Sequence, residues 1–239
     1  MGYIQSNVTN DLVVVDRSVA AMRATLRPNE MTGSYRASLV SSTITFSSIS
    51  ASNAILYTFK NTGTGLCLIR SVQIGIQIIA TGFTTTGGSR FSLYRVPATF
   101  TQGTTGGTLY GVGGGTSINN KKRTSLATSA AAAVIYASGA GITGDTASTE
   151  DTVALSSVTL GGAAATVTTF PAAGLRDFFN PLVPSYNAID QGNIAAYPLA
   201  LAANEGFRIK SDLAFINGTT GAGTASLVVA VEWDEATAY

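Results

Sequence analysis

The sequence predicts an all-β fold, an antiparallel sandwich or barrel of short strands, and three observations point there. Apolar residues recur at every second position along much of the chain, the spacing that places side chains on one face of a strand. Glycine-rich and hydroxyl-rich stretches such as Thr84 to Ser89, Gln102 to Gly107 and Gly111 to Gly115 interrupt these runs like turns between strands. The chain has 239 residues, 45% of them hydrophobic. That length suits a single large β domain, and a compact chain of this mass buries roughly 70% of its extended surface.

The strands follow in order. Ile44 and Phe46 alternate with hydroxyl residues, and Ile55, Tyr57 and Phe59 alternate with Leu56, Thr58 and Lys60. The clearest strand carries Val72, Ile74, Ile76 and Ile78 against Ser71, Gln73, Gly75 and Gln77. Phe91 to Val96, Val153 to Leu160, Phe207 to Lys210 and Leu227 to Trp233 are further strands. The last is apolar on both sides, because Val228 and Ala230 separate Leu227, Val229, Val231 and Trp233, so it belongs in the middle of a sheet. Thr128 to Ala137, with its alanine run, is the one helix candidate in the body, with a methyl-packed loop as the alternative.

Residues 1–35 differ from the body at 36–239 and read as an N-terminal arm. Leu12 to Val15 is a short β-branched run, and Asp16 is placed to cap a helical turn through Val19 and Met22. Arg17, Arg23 and Arg27 follow, and Pro28 stops any helix. An arm docking on a neighbour and an edge strand with a solvated basic face both fit this segment.

Composition narrows the function. Only 11% of residues are charged, against about 25% in an average domain, and the net charge is +1. No long-range field therefore draws the chain to nucleic acid or to an anionic membrane, and copies of it repel one another little. Histidine is absent, which removes the commonest neutral-pH acid/base and metal ligand. The single cysteine, Cys67, sits between Leu66 and Leu68 and reads as an inert buried strand residue. Met1 to Asn10 lacks the pattern of a signal peptide, no apolar run reaches the length of a membrane span, and the sequons at Asn7 and Asn217 read as chance.

The motifs that resemble chemistry are weak. Gly111, Gly113, Gly114 and Gly115 lack the spacing and the lysine-serine ending of a phosphate loop. Lys121, Lys122 and Arg123 form a basic run without interleaved aromatics. Among the carboxylates, Asp234 and Glu235 are strand neighbours and point to opposite faces, which arranges them poorly for paired acid/base work. Glu150 with Asp151, Glu232, and the long-range pair Asp145 with Glu205 complete the carboxylate candidates. No acidic run has the alternation of a calcium loop. The residues assign no catalytic, cofactor or metal site, and the chain is read as a non-enzyme.

Four segments resemble a family of tailed-bacteriophage virion proteins of the capsid cement or head-decoration type. They are Gly33-Ser-Tyr-Arg-Ala-Ser-Leu39 leading into Val40 to Ser52; Leu66-Cys-Leu-Ile-Arg-Ser-Val-Gln-Ile74 with Thr81-Gly-Phe83; Asn119-Asn-Lys-Lys-Arg-Thr-Ser-Leu126; and Pro198 to Ile209 with Leu227 to Ala236. The resemblance implies a jelly-roll-like sandwich that binds the outside of a capsid and bridges major capsid subunits. It implies two partners, the major capsid protein and copies of the chain itself as a dimer or trimer, with neither nucleic acid nor membrane. Its implied location is the virion exterior after synthesis in the host cytoplasm. The alternative is a tail-fibre or adhesin head recognising a host glycan through exposed aromatics, with Tyr94, Tyr110, Tyr136 and Tyr186 as candidates.

Overall fold

A computed structural model describes residues 3–5, 12–16, 21–22, 31–45, 53–80, 89–118, 128–145, 150–160, 176–179, 199–212 and 224–236. All of its regular structure is β-strand, and two antiparallel sheets pack face to face. Near the N-terminus, β1 (Tyr3–Gln5), β2 (Leu12–Asp16) and β3 (Ala21–Met22) form a small meander. Met22 therefore lies on a strand, not on the helical turn predicted after Asp16; residues 17–20 lie outside the described residues. The first sandwich strand, β4 (Met31–Val40), begins inside the segment assigned to the arm, because Met31 to Val40 pair along the last strand of the chain.

Strands β5 (Ile44–Thr45), β6 (Ala54–Asn61), β7 (Leu66–Ala80), β8 (Ser89–Val96), β9 (Gly107–Gly111) and β10 (Ala131–Tyr136) follow. The chain continues through β11 (Ser156–Leu160), β12 (Arg176–Phe179), β13 (Leu199–Leu201), β14 (Gly206–Ser211) and β15 (Thr224–Ala236). Sheet I runs β11-β8-β14-β6-β10-β9, and sheet II runs β12-β7-β15-β4, with β13 also on β7 and β5 also on β15. The pairing is nested. The first long strand pairs with the last (β4 with β15), β6 with β14, β7 with β12, and β8 with β11, every pair antiparallel. This is one long hairpin folded over so that successive legs alternate between two sheets: a jelly roll. The hairpin β9–β10 is inserted between β8 and β11 and widens sheet I beyond β6.

The core is the inner row of each sheet. On β15, Leu227, Val229, Val231 and Trp233 face inward, as their alternation predicts. Trp233 stacks on Tyr35 at 5.6 Å and meets Phe59 edge-on at 5.2 Å, while Phe59 stacks on Phe207 at 5.2 Å. These contacts join the two sheets through rings that are essentially fully buried. Burial raises the Tyr57 hydroxyl pKa far above its ordinary range, and Cys67 beside it adds to the effect.

The alanine run is strand β10, not a helix. Ala131, Ala133 and Ile135 lie opposite Asn61, Phe59 and Tyr57, and β9 pairs along the other edge. All six residues of β10 are buried. Alanine's helix propensity is a few tenths of a kcal/mol per residue, and two flanking strands override it. Ala131 and Ala133 lie in the core, Ala133 directly opposite Phe59. Gly206 has no room for a side chain: a Cβ there would lie 2.1 Å from the Phe59 carbonyl oxygen and 2.9 Å from the Phe100 ring.

Truncating the inter-sheet tryptophan should be severe. Trp233→Ala is expected to lower unfolding free energy by about 3–5 kcal/mol, as large-to-small changes in packed cores do. Urea denaturation checks this, and a loss below about 1 kcal/mol would mean that Trp233 does not fasten the sheets.

Candidate functional site

Among the described residues, most charged groups that the sequence offers for chemistry are neutralised within the chain. The densest cluster lies on the outer face of sheet I. Phe207 and Ile209 of β14 point into the core, so Arg208 and Lys210 point outward, opposite Thr58 and Tyr94 and opposite Ser92 respectively. Chain segments around Phe100 and Asp145 fold back over this face. Arg208 lies 2.9 Å from Asp145 and 3.3 Å from Glu150, and its guanidinium sits 5.9 Å from the centre of the Phe100 ring. Lys210 pairs with Glu150 and lies over the Tyr94 ring. Lys60 also lies over the Phe100 ring and donates to the Phe100 carbonyl oxygen at 2.9 Å. Asp145 accepts from the Gly103 N–H, and Gln102 donates to Thr58, which ties the covering loop to the sheet.

At the edge of the cluster, Asp212 accepts from Arg90, Ser92 and Tyr94. Partial burial and the Asp212 charge raise the pKa of the Tyr94 hydroxyl. The Arg208 head group is buried together with its partner Asp145, so the positive charge depends on these carboxylates for compensation.

The remaining carboxylates are also held. Asp234 and Glu235 do point to opposite faces. Asp234 faces outward and accepts from Ser34 and from Arg70, each at 2.6 Å. Glu235 faces inward and accepts from Ser129 at 2.6 Å, the Ala130 N–H at 3.0 Å and Trp233 Nε1 at 3.1 Å, which ties the end of sheet II to the start of β10. Glu232 pairs with Arg36. Asp145 and Glu205 are held by different arginines, Arg208 and Arg95, rather than facing each other as a pair. Asp151 is exposed beside Arg95. Among the described residues no group of His, Cys, Asp and Glu has the arrangement of a metal site.

The other candidates resolve as follows. Cys67 is a free, fully buried thiol; burial pushes its pKa up, and the charges of Glu235 and Asp234 push it further. Gly111 and Gly113 adopt left-handed backbone, φ 85° and 83°, and turn the chain out of β9. Gly114 packs on the Leu109 carbonyl, so this loop folds against its own hairpin. Tyr136 is buried with its hydroxyl on the Gly139 carbonyl, Tyr110 packs against the core, and Tyr94 is held by Asp212. Tyr186, Lys121, Lys122 and Arg123 lie outside the described residues, as do Arg17, Arg23 and Arg27. No described helix is long and apolar enough to cross a membrane.

Sequence reasoning missed the Arg208–Lys210 cluster. Its signal was present, since two cations alternate with Phe207 and Ile209, but the covering carboxylates come from residues 145 and 150, which no local pattern connects to β14. Compared with known protein families, curated proteins and solved structures, the chain matches none.

Two measurements probe these pairs. Arg208→Met leaves Asp145 without its buried partner and Glu150 with Lys210 alone, and is expected to cost about 3–5 kcal/mol of stability, read by chemical denaturation; a change within about 0.5 kcal/mol would show the pairing to be incidental. Glu205 gives a pH signature. Burial alone would raise its carboxyl, but the hydrogen bonds from Arg95 and the Ala202 N–H, with the Arg95 charge, outweigh it and lower the pKa from its ordinary 4.5. A lowered folded-state pKa contributes stability above the unfolded value, and this is lost as pH falls through the folded value. Glu205→Gln should therefore be less stable than the parent at pH 7, with the gap closing as pH drops below about 4. A gap independent of pH would contradict the assignment.

Proposed function

We propose that this chain is a cement or decoration subunit of a tailed-phage capsid, binding the outer surface of the shell and bridging major capsid subunits. The observation that carries the reading is the internal neutralisation of charge: carboxylates that would be candidates for chemistry lie against arginine, lysine or backbone N–H of the same chain. The chain is rich in hydroxyl residues and carries a net charge of only +1, a composition under which many identical subunits pack closely with little repulsion. The jelly roll adds support by analogy, because capsid proteins use this architecture, as do lectins. The four motifs resembling virion proteins in chain order add a further, independent indication.

The buried position of Tyr136 and the internal contacts of Tyr94 and Tyr110 favour this reading over a glycan-binding head, which needs aromatic faces open to solvent. Binding would then rest on many repeated weak contacts and their avidity, with the segment before β4 as the part that reaches onto the shell or a neighbour.

The test uses expanded phage shells assembled without the chain. Purified chain is expected to bind in fixed proportion to the major capsid subunits and to raise the temperature at which the shells rupture. A chain lacking residues 1–30, which leaves β4 intact, is expected to keep its melting profile and lose binding. Binding limited to a few copies at one vertex, or unchanged binding by the truncated chain, would overturn the respective part of the proposal.

A further inference from the structure

Among the described residues the ten-residue strand β4 has no partner along one edge, and its sequence fits a second copy of itself. Ser41 donates its N–H to the Leu227 carbonyl at 2.8 Å, and Val40 lies opposite Val228. In an antiparallel ladder, hydrogen-bonded and non-hydrogen-bonded pairs alternate. The odd residues Gly33, Tyr35, Ala37 and Leu39 therefore direct their N–H and C=O groups to β15. The even residues Ser34, Arg36, Ser38 and Val40 direct theirs away from the sheet, and among the described residues no strand pairs with that side.

Folded proteins protect such edges with short strands, bulges, prolines or charges. Most other described edges are shorter, although residues 75–80 of β7 also lack a partner strand on the side away from β15. β9 has five residues and ends at a left-handed glycine. β12 and β13 have four and three residues, and β11 adjoins β12 at the corner where the sheets meet. β4 has ten residues, no proline, and unbroken register from Gly33 to Val40.

We propose that β4 pairs antiparallel with β4 of a second copy across a two-fold axis at Ala37, joining sheet II of both copies into one continuous sheet. This names the self-contact of the assembling subunit proposed above and rests on that reading. The register follows from charge and parity. Outward-directed residues must meet outward-directed residues, so even positions pair with even positions. A register centred on Arg36 sets two guanidinium groups opposite each other, which destabilises a cross-strand pair. A register centred on Ser38 reaches Ser42, whose N–H is already bonded to Tyr136. Over Ser34 to Val40, within the stretch of unbroken register, the register centred on Ala37 avoids both. It places Ser34 opposite Val40 and Arg36 opposite Ser38 on the outer face, and Tyr35 opposite Leu39 on the inner face. Leu39 is only partly buried and Val40 is 54% exposed in the single chain, so both gain cover. The contact is isologous and closes on itself.

The experiment is sedimentation of the full chain with three variants at exposed Ser38. Ser38→Lys sets a cation opposite Arg36 of the second copy and is expected to weaken self-association by at least about tenfold. Ser38→Glu sets an anion there and is expected to strengthen it. Ser38→Pro removes an edge N–H and is expected to give monomers; should that variant misfold, the charge pair decides alone. A chain monomeric at about 100 μM, or Lys and Glu variants that associate alike, overturns the proposal. Because the readout needs no shell, the two proposals fail separately: shell binding by a chain that does not self-associate counts against the edge, and self-association without shell binding counts against the capsid reading.

Discussion

The removal of β15 from water is the constraint on which the rest of the architecture depends. This strand of thirteen residues lies between β7 and β4, so its backbone is paired along both edges. Its inner row must then be covered from the opposite sheet, and Phe59 and Phe207 supply that cover. Phe59 and Phe207 stand opposite each other on β6 and β14, the next pair in the nested hairpin. Because β15 pairs with β4, the two ends of the sandwich close on each other. Contacts this distant in sequence carry a large loop-closure cost, offset only when the full inner row is buried.

The two outer faces solve their exposure differently. On sheet I, cations alternate with core residues and are covered by a loop that brings its own carboxylates, so a buried arginine acquires partners and an aromatic ring. On sheet II, Ser226, Val228 and Ala230 share the outer face of β15 with Gln73, Gly75 and Gln77 across β7. That stretch carries no charge, and its ionic contacts gather at one end, at Arg36, Arg70, Glu232 and Asp234. A surface of this kind resists contact with copies of itself only weakly.

How much of this was legible in the sequence depended on the range of the interaction. Strand positions with strict alternation, such as Val72 to Ile78 and Leu227 to Trp233, fell where the pattern placed them, because period 2 is a property of each strand alone. The divergence of Asp234 and Glu235 followed from the same geometry. The alanine run misled because local propensity favours a helix, while two neighbouring strands hold it extended. The arm boundary at 35 falls within β4, since Met31 to Ser34 carry little hydrophobic signal and are ordered by pairing with β15. The carboxylates over Arg208 come from chain some sixty residues away, and no single-sequence pattern encodes which loop folds back on which face.

Among the described residues most charges are satisfied within the chain, and the long edge of β4 is left without a partner strand, which is the edge proposed to pair with a second copy. Residue-resolved amide hydrogen exchange of β4 in dilute and concentrated solution tests this most directly. Tyr35, Ala37 and Leu39 should be protected at both concentrations, while Ser34, Arg36, Ser38 and Val40 exchange freely when dilute and gain protection when concentrated. Equal protection of both sets in dilute solution, or no concentration dependence in the even-numbered set, would contradict it.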